Sequence, residues 1–325
     1  MNERRTQLPN PRLQPRFGGI CTFGRYPRLE DVESEARPID WLVYGVPYDS
    51  GVTYRPGTRF GPRAIRAESQ YLKHYSMPHD VDVPEVLSLA DAGDAPVEPY
   101  DCRGTLDAVA GFARALPDPT HTKLLAIGGD HSIAYANMRA TFERRGGEAL
   151  AAVHFDTHLD TVDAVWGERW GHASPFVRAI EDGLIDPKRM ISIGIKGPLN
   201  SKDDLAYARD HGITIVSQDD LDAGEGEAAI RGFLDRTAGS ATYATFDVDC
   251  IDPAYAPGTG TPCPGGLTPR EAFALLRRMR GASIVGADIV EVLPERDPGG
   301  YTALLAAHVA FEILCLDAAQ RGPAE

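Results

Sequence analysis

The sequence predicts an α/β fold built on a parallel sheet covered by helices. Two observations carry that expectation. Short runs rich in β-branched and aromatic residues alternate with segments of helical period, and 325 residues at 43% apolar composition suffice for one large core. A third observation concerns placement: the residues just after the strand-like runs are acidic or histidine with unusual frequency. In open parallel sheets, ligands gather beyond the carboxyl ends of the strands.

Taken in chain order, residues 1 to about 38 carry recurrent Pro and Arg without a clear period, which predicts an extended N-terminal arm, and 39–325 reads as a single domain. Strands are expected at 41–46, 123–127, 149–155, 190–195, 213–216, 242–248 and 283–290. Helices are expected between most of them, at 134–144, 203–210, 227–238 and 270–279, the last opened by Thr268 as N-cap with Pro269 at the first helical position. No apolar run approaches a bilayer-spanning length, and 301–319, interrupted by His308, Glu312 and Asp317, suits a helix docked on a core. No internal repeat is visible.

Composition narrows the function classes. With 47 acidic against 33 basic residues the net charge is −14, which disfavours nucleic-acid phosphates and mildly favours cationic ligands. Cys21, Cys102, Cys250, Cys263 and Cys315 are odd in number, scattered and without CxxC spacing, so a reducing cytoplasm fits best. The polar stretch 1–16 has no apolar h-region, which argues against a secretory signal. No phosphate-binding GxxxxGK[ST] loop is present.

Three strand ends carry the chemistry. The first is Gly128-Gly129-Asp130-His131-Ser132, where two glycines let the chain turn and present His131, although Asp130 or Ser132 also reads as a helix cap. The second is His154-Phe155-Asp156-Thr157-His158-Leu159-Asp160, in which alternate side chains Asp156, His158 and Asp160 share one side of an extended segment. A solvated loop is the bland alternative, but three ionisable groups on an apolar strand are costly to bury unless a cation neutralises them. The third is Asp247-Val248-Asp249-Cys250-Ile251-Asp252-Pro253, and capping explains at most one of its paired carboxylates, Asp247 and Asp249. Together these supply two imidazoles and four carboxylates, enough for two divalent ions about 3.5–4 Å apart. A carboxylate-rich set favours Mn²⁺, while imidazole leaves Ni²⁺, Co²⁺, Zn²⁺ and Fe²⁺ open. His154 suits either core burial or a hydrogen bond to a ligand, and His308 reads as structural.

In this order the three motifs resemble the signatures of the ureohydrolase family of arginases and agmatinases. So do Gly51-Val52-Thr53-Tyr54-Arg55-Pro56-Gly57, the stretch from Ala256 to Pro262 followed by Gly265-Gly266-Leu267, and Val290-Glu291-Val292. The arm pattern Arg16-Phe17-Gly18-Gly19-Ile20 with Thr22-Phe23, and His172-Ala173-Ser174-Pro175-Phe176, are most similar to the agmatinase and guanidinobutyrase branch. The resemblance implies a three-layer α/β/α domain with a mainly parallel sheet of about eight strands. It also implies a hydrolase that releases urea and an amine from a small cationic guanidino compound, and a homo-oligomer, trimeric or hexameric.

Carried over residue by residue, the family pattern gives one metal His131, Asp156, Asp160 and Asp247. The other takes His158, Asp156, Asp247 and Asp249, with Asp156 and Asp247 bridging. It places Glu291 under the guanidinium and His172 at the mouth as proton shuttle or substrate contact, with Asp160 accepting the proton of the attacking hydroxide. Mn²⁺ is expected first and Ni²⁺ second.

The chain departs from that pattern in three places. Thr161-Val162-Asp163 lacks the polar residues that hold an amino-acid end, which disfavours L-arginine; Thr157 stands for Ala; and Ala173-Ser174 stands for Gly-Thr. Agmatine, 4-guanidinobutyrate and free or N-methylated guanidine therefore stay open as substrates, with a narrowing effect of Thr157 favouring the small ones and a bracing role leaving them unfavoured. A catalytically silent subunit of a hetero-oligomer is the alternative from another class, and its mark, a lost metal ligand, is missing.

Overall fold

Strand β1 (Trp41–Val46) shows how the layers arise: Trp41 and Val43 enter one apolar cluster, while Leu42, Tyr44 and Val46 enter another. Period-two alternation sends successive side chains to opposite faces, so a strand buried on both faces needs a helical layer on each. A computed structural model describes residues 6, 8–10, 12–33 and 38–322. Within them lie β2 (Tyr75–Ser76), β3 (Val81–Asp82), β4 (Leu89–Asp94), β5 (Lys123–Gly128), β6 (Leu150–Phe155), β7 (Ile185–Ile195), β8 (Thr214–Ser217), β9 (Ala241–Asp247) and β10 (Ser283–Val290).

Eight of these strands pair in the order β4-β1-β5-β10-β9-β6-β7-β8, every pair parallel, and β2 and β3 make a small antiparallel ribbon. One helical layer holds Gly61–Ser69, Gly226–Arg236, Pro269–Arg278 and Tyr301–Arg321, whose Ile65, Phe233, Leu275 and Ile313 join the cluster of Trp41. Opposite it lie Cys102–Ala115, Ile133–Arg144, Pro175–Glu181 and Ala206–His211, with Val109, Met138, Phe176 and Ala208 in the cluster of Leu42. The architecture is three-layer α/β/α.

All seven strands read from the sequence are present, and β4 at the sheet edge and the β2–β3 ribbon are the additions. The segment expected as one helix at 203–210 divides into a 3₁₀ turn, Lys202–Leu205, and the helix Ala206–His211. The Thr268 cap is present as a full capping box with Glu271.

Of the N-terminal arm, residues 1–5, 7, 11 and 34–37 lie outside the described residues. Its middle packs on the domain: Phe23 and Tyr26 are buried, and the amides of Phe23 and Gly24 donate to Asp91 Oδ2 and Ser69 Oγ at 2.8 Å each. The helix Tyr301–Arg321 corrects the expectation about apolar runs, because by length and composition alone its 21 residues suffice to cross a bilayer. Here 78% of its most apolar window is buried inside the protein, which marks it as a core helix. Its polar residues are paired inward, Asp317 with Trp41 Nε1 at 2.7 Å and Glu312 with His79 Nε2 at 2.5 Å.

Candidate metal centre

Four adjacent central strands, β5, β10, β9 and β6, deliver the site from their carboxyl ends. After β5 the chain doubles tightly against the end of β1: Gly129 N donates to Val46 O and Asp130 N to Tyr48 O, both at 2.9 Å. A Cβ at Gly129 would overlap Tyr48 O and lie 2.8 Å from Val46 O, so only glycine permits the approach that presents His131. Asp130 turns away, accepting from Gly51 N at 2.9 Å and Ser132 N at 3.0 Å. It thereby tethers the Gly51–Gly57 loop, a role beyond the helix cap read from the sequence.

The six expected ligands converge. His131 Nδ1 lies 3.1 Å from Asp156 Oδ2, 2.8 Å from Asp160 Oδ2 and 3.4 Å from Asp247 Oδ2. His158 Nδ1 lies 3.4 Å from Asp156 Oδ1 and 3.1 Å from Asp249 Oδ2. Asp156 thus faces both imidazoles. Backbone amides hold the carboxylates in aim: His158 N donates to Asp156 Oδ1 at 2.6 Å, Asp249 N to Asp247 Oδ1 at 2.8 Å, and Thr157 N to Asp249 Oδ1 at 3.2 Å. Asp160 holds its position with a left-handed φ of 52°.

Electrostatics show what such a cluster lacks. Burial, together with Asp249 and Asp156, pushes the Asp247 carboxyl well above the usual range, and burial with Asp156 raises Asp249. Burial also opposes charge on His131 and on Asp156, but the carboxylates around the one, and His154 with the other imidazoles around the other, outweigh it in favour of the ion pair. Positive charge is in short supply. His131 Nδ1 is fully buried and faces three carboxylate oxygens, yet among the described residues none of them meets it in hydrogen-bond geometry, as expected of a nitrogen aimed at a shared cation. The residues present fit divalent cations.

His154 stands behind the cluster, its Nε2 2.8 Å from Asp156 Oδ2 and its Nδ1 3.0 Å from Ser192 Oγ. With both nitrogens engaged it buttresses Asp156. His308 lies away from the cluster, in a pocket with Lys73, Arg277 and Glu312.

Glu291, at φ 65°, follows β10 and closes the floor. Its Oε1 accepts from His131 N and faces His172 Nδ1, both at 2.9 Å, whereas its Oε2 is buried without a partner among the described residues. His172 is buried, 8% exposed, so it does not sit free at a mouth; its Nε2 accepts from Thr53 N at 2.9 Å. Thr157 is buried as well, and its hydroxyl meets Lys196 Nζ at the end of β7. That is the bracing role, not a wall of the pocket. Sequence reasoning missed Thr53, Thr245, Asp288 and Lys196, none of which lies in a motif of alternating ligands.

Comparison with known proteins agrees with this geometry. A family model described as the arginase family matches residues 39–316. The chain is 41% identical over 303 residues to a guanidinopropionase of Pseudomonas aeruginosa, covering 93% of each. It is 40% identical over 306 residues to proclavaminate amidinohydrolase of Streptomyces clavuligerus, covering 93% of this chain and 94% of the relative. The solved structure of that protein superposes with a TM-score of 0.84 over 94% of this chain and 99% of its own. A crystal structure described as a hypothetical agmatinase from Burkholderia thailandensis is 33% identical, with a TM-score of 0.85 over 98% of this chain and 96% of its own.

Proposed function

Since this chain belongs to the arginase family and is accordingly a hydrolase of guanidino or amidino groups, we propose that it releases urea from a small guanidino compound with the help of two divalent cations. The observation that carries this reading is Glu291 Oε2, a buried carboxylate oxygen beside the candidate ligand cluster that has no donor among the described residues. A guanidinium offers planar N–H donors and a positive charge that match it. His131, Asp156, Asp160 and Asp247 would hold one cation, and His158, Asp156, Asp247 and Asp249 the other. Bound cations supply a nucleophile at neutral pH by lowering the pKa of water.

The chain's own residues do the rest. Glu291 orients the guanidinium, and its Oε1 is kept for His131 N and His172 Nδ1. Asp160 takes the proton of the attacking oxygen. His172, whose Nε2 accepts from Thr53 N and whose proton therefore sits on Nδ1, donates to Glu291 Oε1 and holds that carboxylate against the substrate. The proton taken by Asp160 passes on to the leaving amine. Burial excludes competing water from this end of the substrate.

Mn²⁺ is the metal favoured by the oxygen-rich donor set, with Ni²⁺ next. The relatives' names span a guanidino acid and agmatine, and Thr157 does not narrow the pocket, so the screen centres on chains of several carbons. Mn²⁺- or Ni²⁺-loaded protein should release urea from one of agmatine, 4-guanidinobutyrate or 3-guanidinopropionate in preference to guanidine. Asp156→Ala and Asp247→Ala should lose metal and turnover together, and retained turnover in either would show the bridge to be misplaced.

The domain at 39–325 is proposed to act within a homo-oligomer, trimer or hexamer, with the arm contributing contacts. Phe17 is 95% exposed and Met77 81%, side chains whose burial such contacts would supply. Light scattering at micromolar concentration should find the assembly, and monomer alone would count against it.

A further inference from the structure

Behind His131, away from the carboxylates, runs a buried chain of hydrogen bonds with one direction. His131 Nε2 lies 2.9 Å from Thr245 Oγ1 on β9. Thr245 donates its hydroxyl proton to Asp288 Oδ1 on β10 at 2.5 Å, and Tyr243 donates its own to Asp288 Oδ2. Asn137 Nδ2 donates to Tyr243 Oη at 2.6 Å and to Ala287 O at 2.8 Å, and Tyr44 Oη donates to Asn137 Oδ1 at 2.7 Å. His131, Thr245, Tyr243, Asn137 and Asp288 are all at most 1% exposed.

The donors can be counted. A hydroxyl has one proton, and the Asp288 carboxylate takes those of both Thr245 and Tyr243. Thr245 Oγ1 then has only a lone pair to offer His131, so Nε2 must carry the N–H. The other nitrogen, Nδ1, is left with its lone pair, and that nitrogen faces Asp156, Asp160 and Asp247. We propose that Asp288 is a positioning residue: acting through Thr245, it holds the His131 imidazole in the tautomer whose Nδ1 is the free ligand atom.

This inference rests on the binuclear reading above and adds a residue to it that touches neither cation nor substrate. In Asp288→Asn the amide oxygen is held by Tyr243, whose hydroxyl already accepts from Asn137 Nδ2 and has no other acceptor for its own proton, so the N–H₂ group faces Thr245. The Thr245 proton is then released toward Nε2, and the opposite tautomer turns an N–H on the cation. Thr245→Val removes the acceptor altogether, whereas Thr245→Ser keeps it.

Competition between each apoprotein and a chromophoric chelator for Mn²⁺ measures the two ions separately. Asp288→Asn and Thr245→Val should each weaken one of the two ions by roughly 10- to 100-fold, the range typical for partners of metal-bound histidine. The other ion should stay within about twofold of wild type, and Thr245→Ser should behave as wild type. Loss of thermal stability in the apoprotein with both affinities unchanged, or equal weakening of both ions, would show a purely structural role and overturn the proposal. Wild type that takes up no Mn²⁺ would overturn the binuclear reading and this proposal with it, an outcome distinct from a failure of Asp288 alone.

Discussion

On the reading proposed above, recognition turns on Glu291, because one of its oxygens is saturated from within and the other has no donor among the described residues. In Glu291→Gln the acceptor role of Oε1 survives, but an N–H₂ group then points at the N–H donors of the guanidinium. The variant should keep its metal and lose about 1.5–3 kcal/mol of transition-state binding, roughly 10- to 150-fold in kcat/KM. Unchanged kcat/KM would remove Glu291 from the substrate's binding face. At this scale much of the site was legible: the alternating Asp156, His158 and Asp160 announced a common target, although the chain past β6 is not extended as expected but bends at 157–158 and turns left-handed at Asp160. Thr245 and Asp288 were silent because they meet His131 only through the pairing of β9 with β10 and the reach of β5, and register between distant strands is not written in either segment alone. Thr157 was ambiguous for a similar reason, since its partner Lys196 lies just past the end of the neighbouring strand β7.

Elements were read well where periodicity and punctuation agreed. The helix Pro269–Arg278 has Thr268 Oγ1 accepting from Glu271 N at 3.3 Å and Glu271 Oε2 accepting from Thr268 N at 2.8 Å. Thr268→Ala should cost about 1 kcal/mol, read as a lower midpoint in denaturant at unchanged slope; an unshifted midpoint would show the cap to be idle. β4 escaped notice because Leu89–Asp94 holds Ala, Asp and Gly, all poor strand formers. What makes it a strand is tertiary: it lies parallel to β1, and Arg66 clasps Asp91 at 2.8 Å and Asp94 at 2.6 Å. The helical segment near residue 203 was read too long for a local reason, the capping box of Ser201 with Asp204 that starts a separate 3₁₀ turn.

At the scale of the molecule, the long C-terminal helix is pinned by charges that respond to acid. Burial raises the Glu312 carboxyl, but hydrogen bonds from His79 and Arg277 more than offset this and hold it below its ordinary value; Asp317 is likewise lowered by Lys123 and Arg321 against its burial. A carboxylate depressed in the folded state contributes stability above its unfolded pKa of about 4.3, and that contribution is lost as pH falls through the folded value. Glu312→Gln should therefore melt at a lower temperature than wild type at pH 7, with the gap closing between about pH 4.5 and 3. A gap that stays constant with pH would mean that the Glu312 ion pairs are not what acid removes. The order of strands in the sheet has a kinetic consequence of its own. The strands that carry the proposed ligands, β5, β9 and β6, lie within four adjacent strands of the sheet, yet His131 and Asp247 are separated in the chain by β6, β7, β8 and the helices among them. No short stretch of chain can assemble the whole cluster, so the full set of ligands forms only when the distant segments have docked. On the binuclear reading, divalent cations in a refolding mixture should find their complete cage late, and their effect should fall on the rate at which the finished protein comes apart.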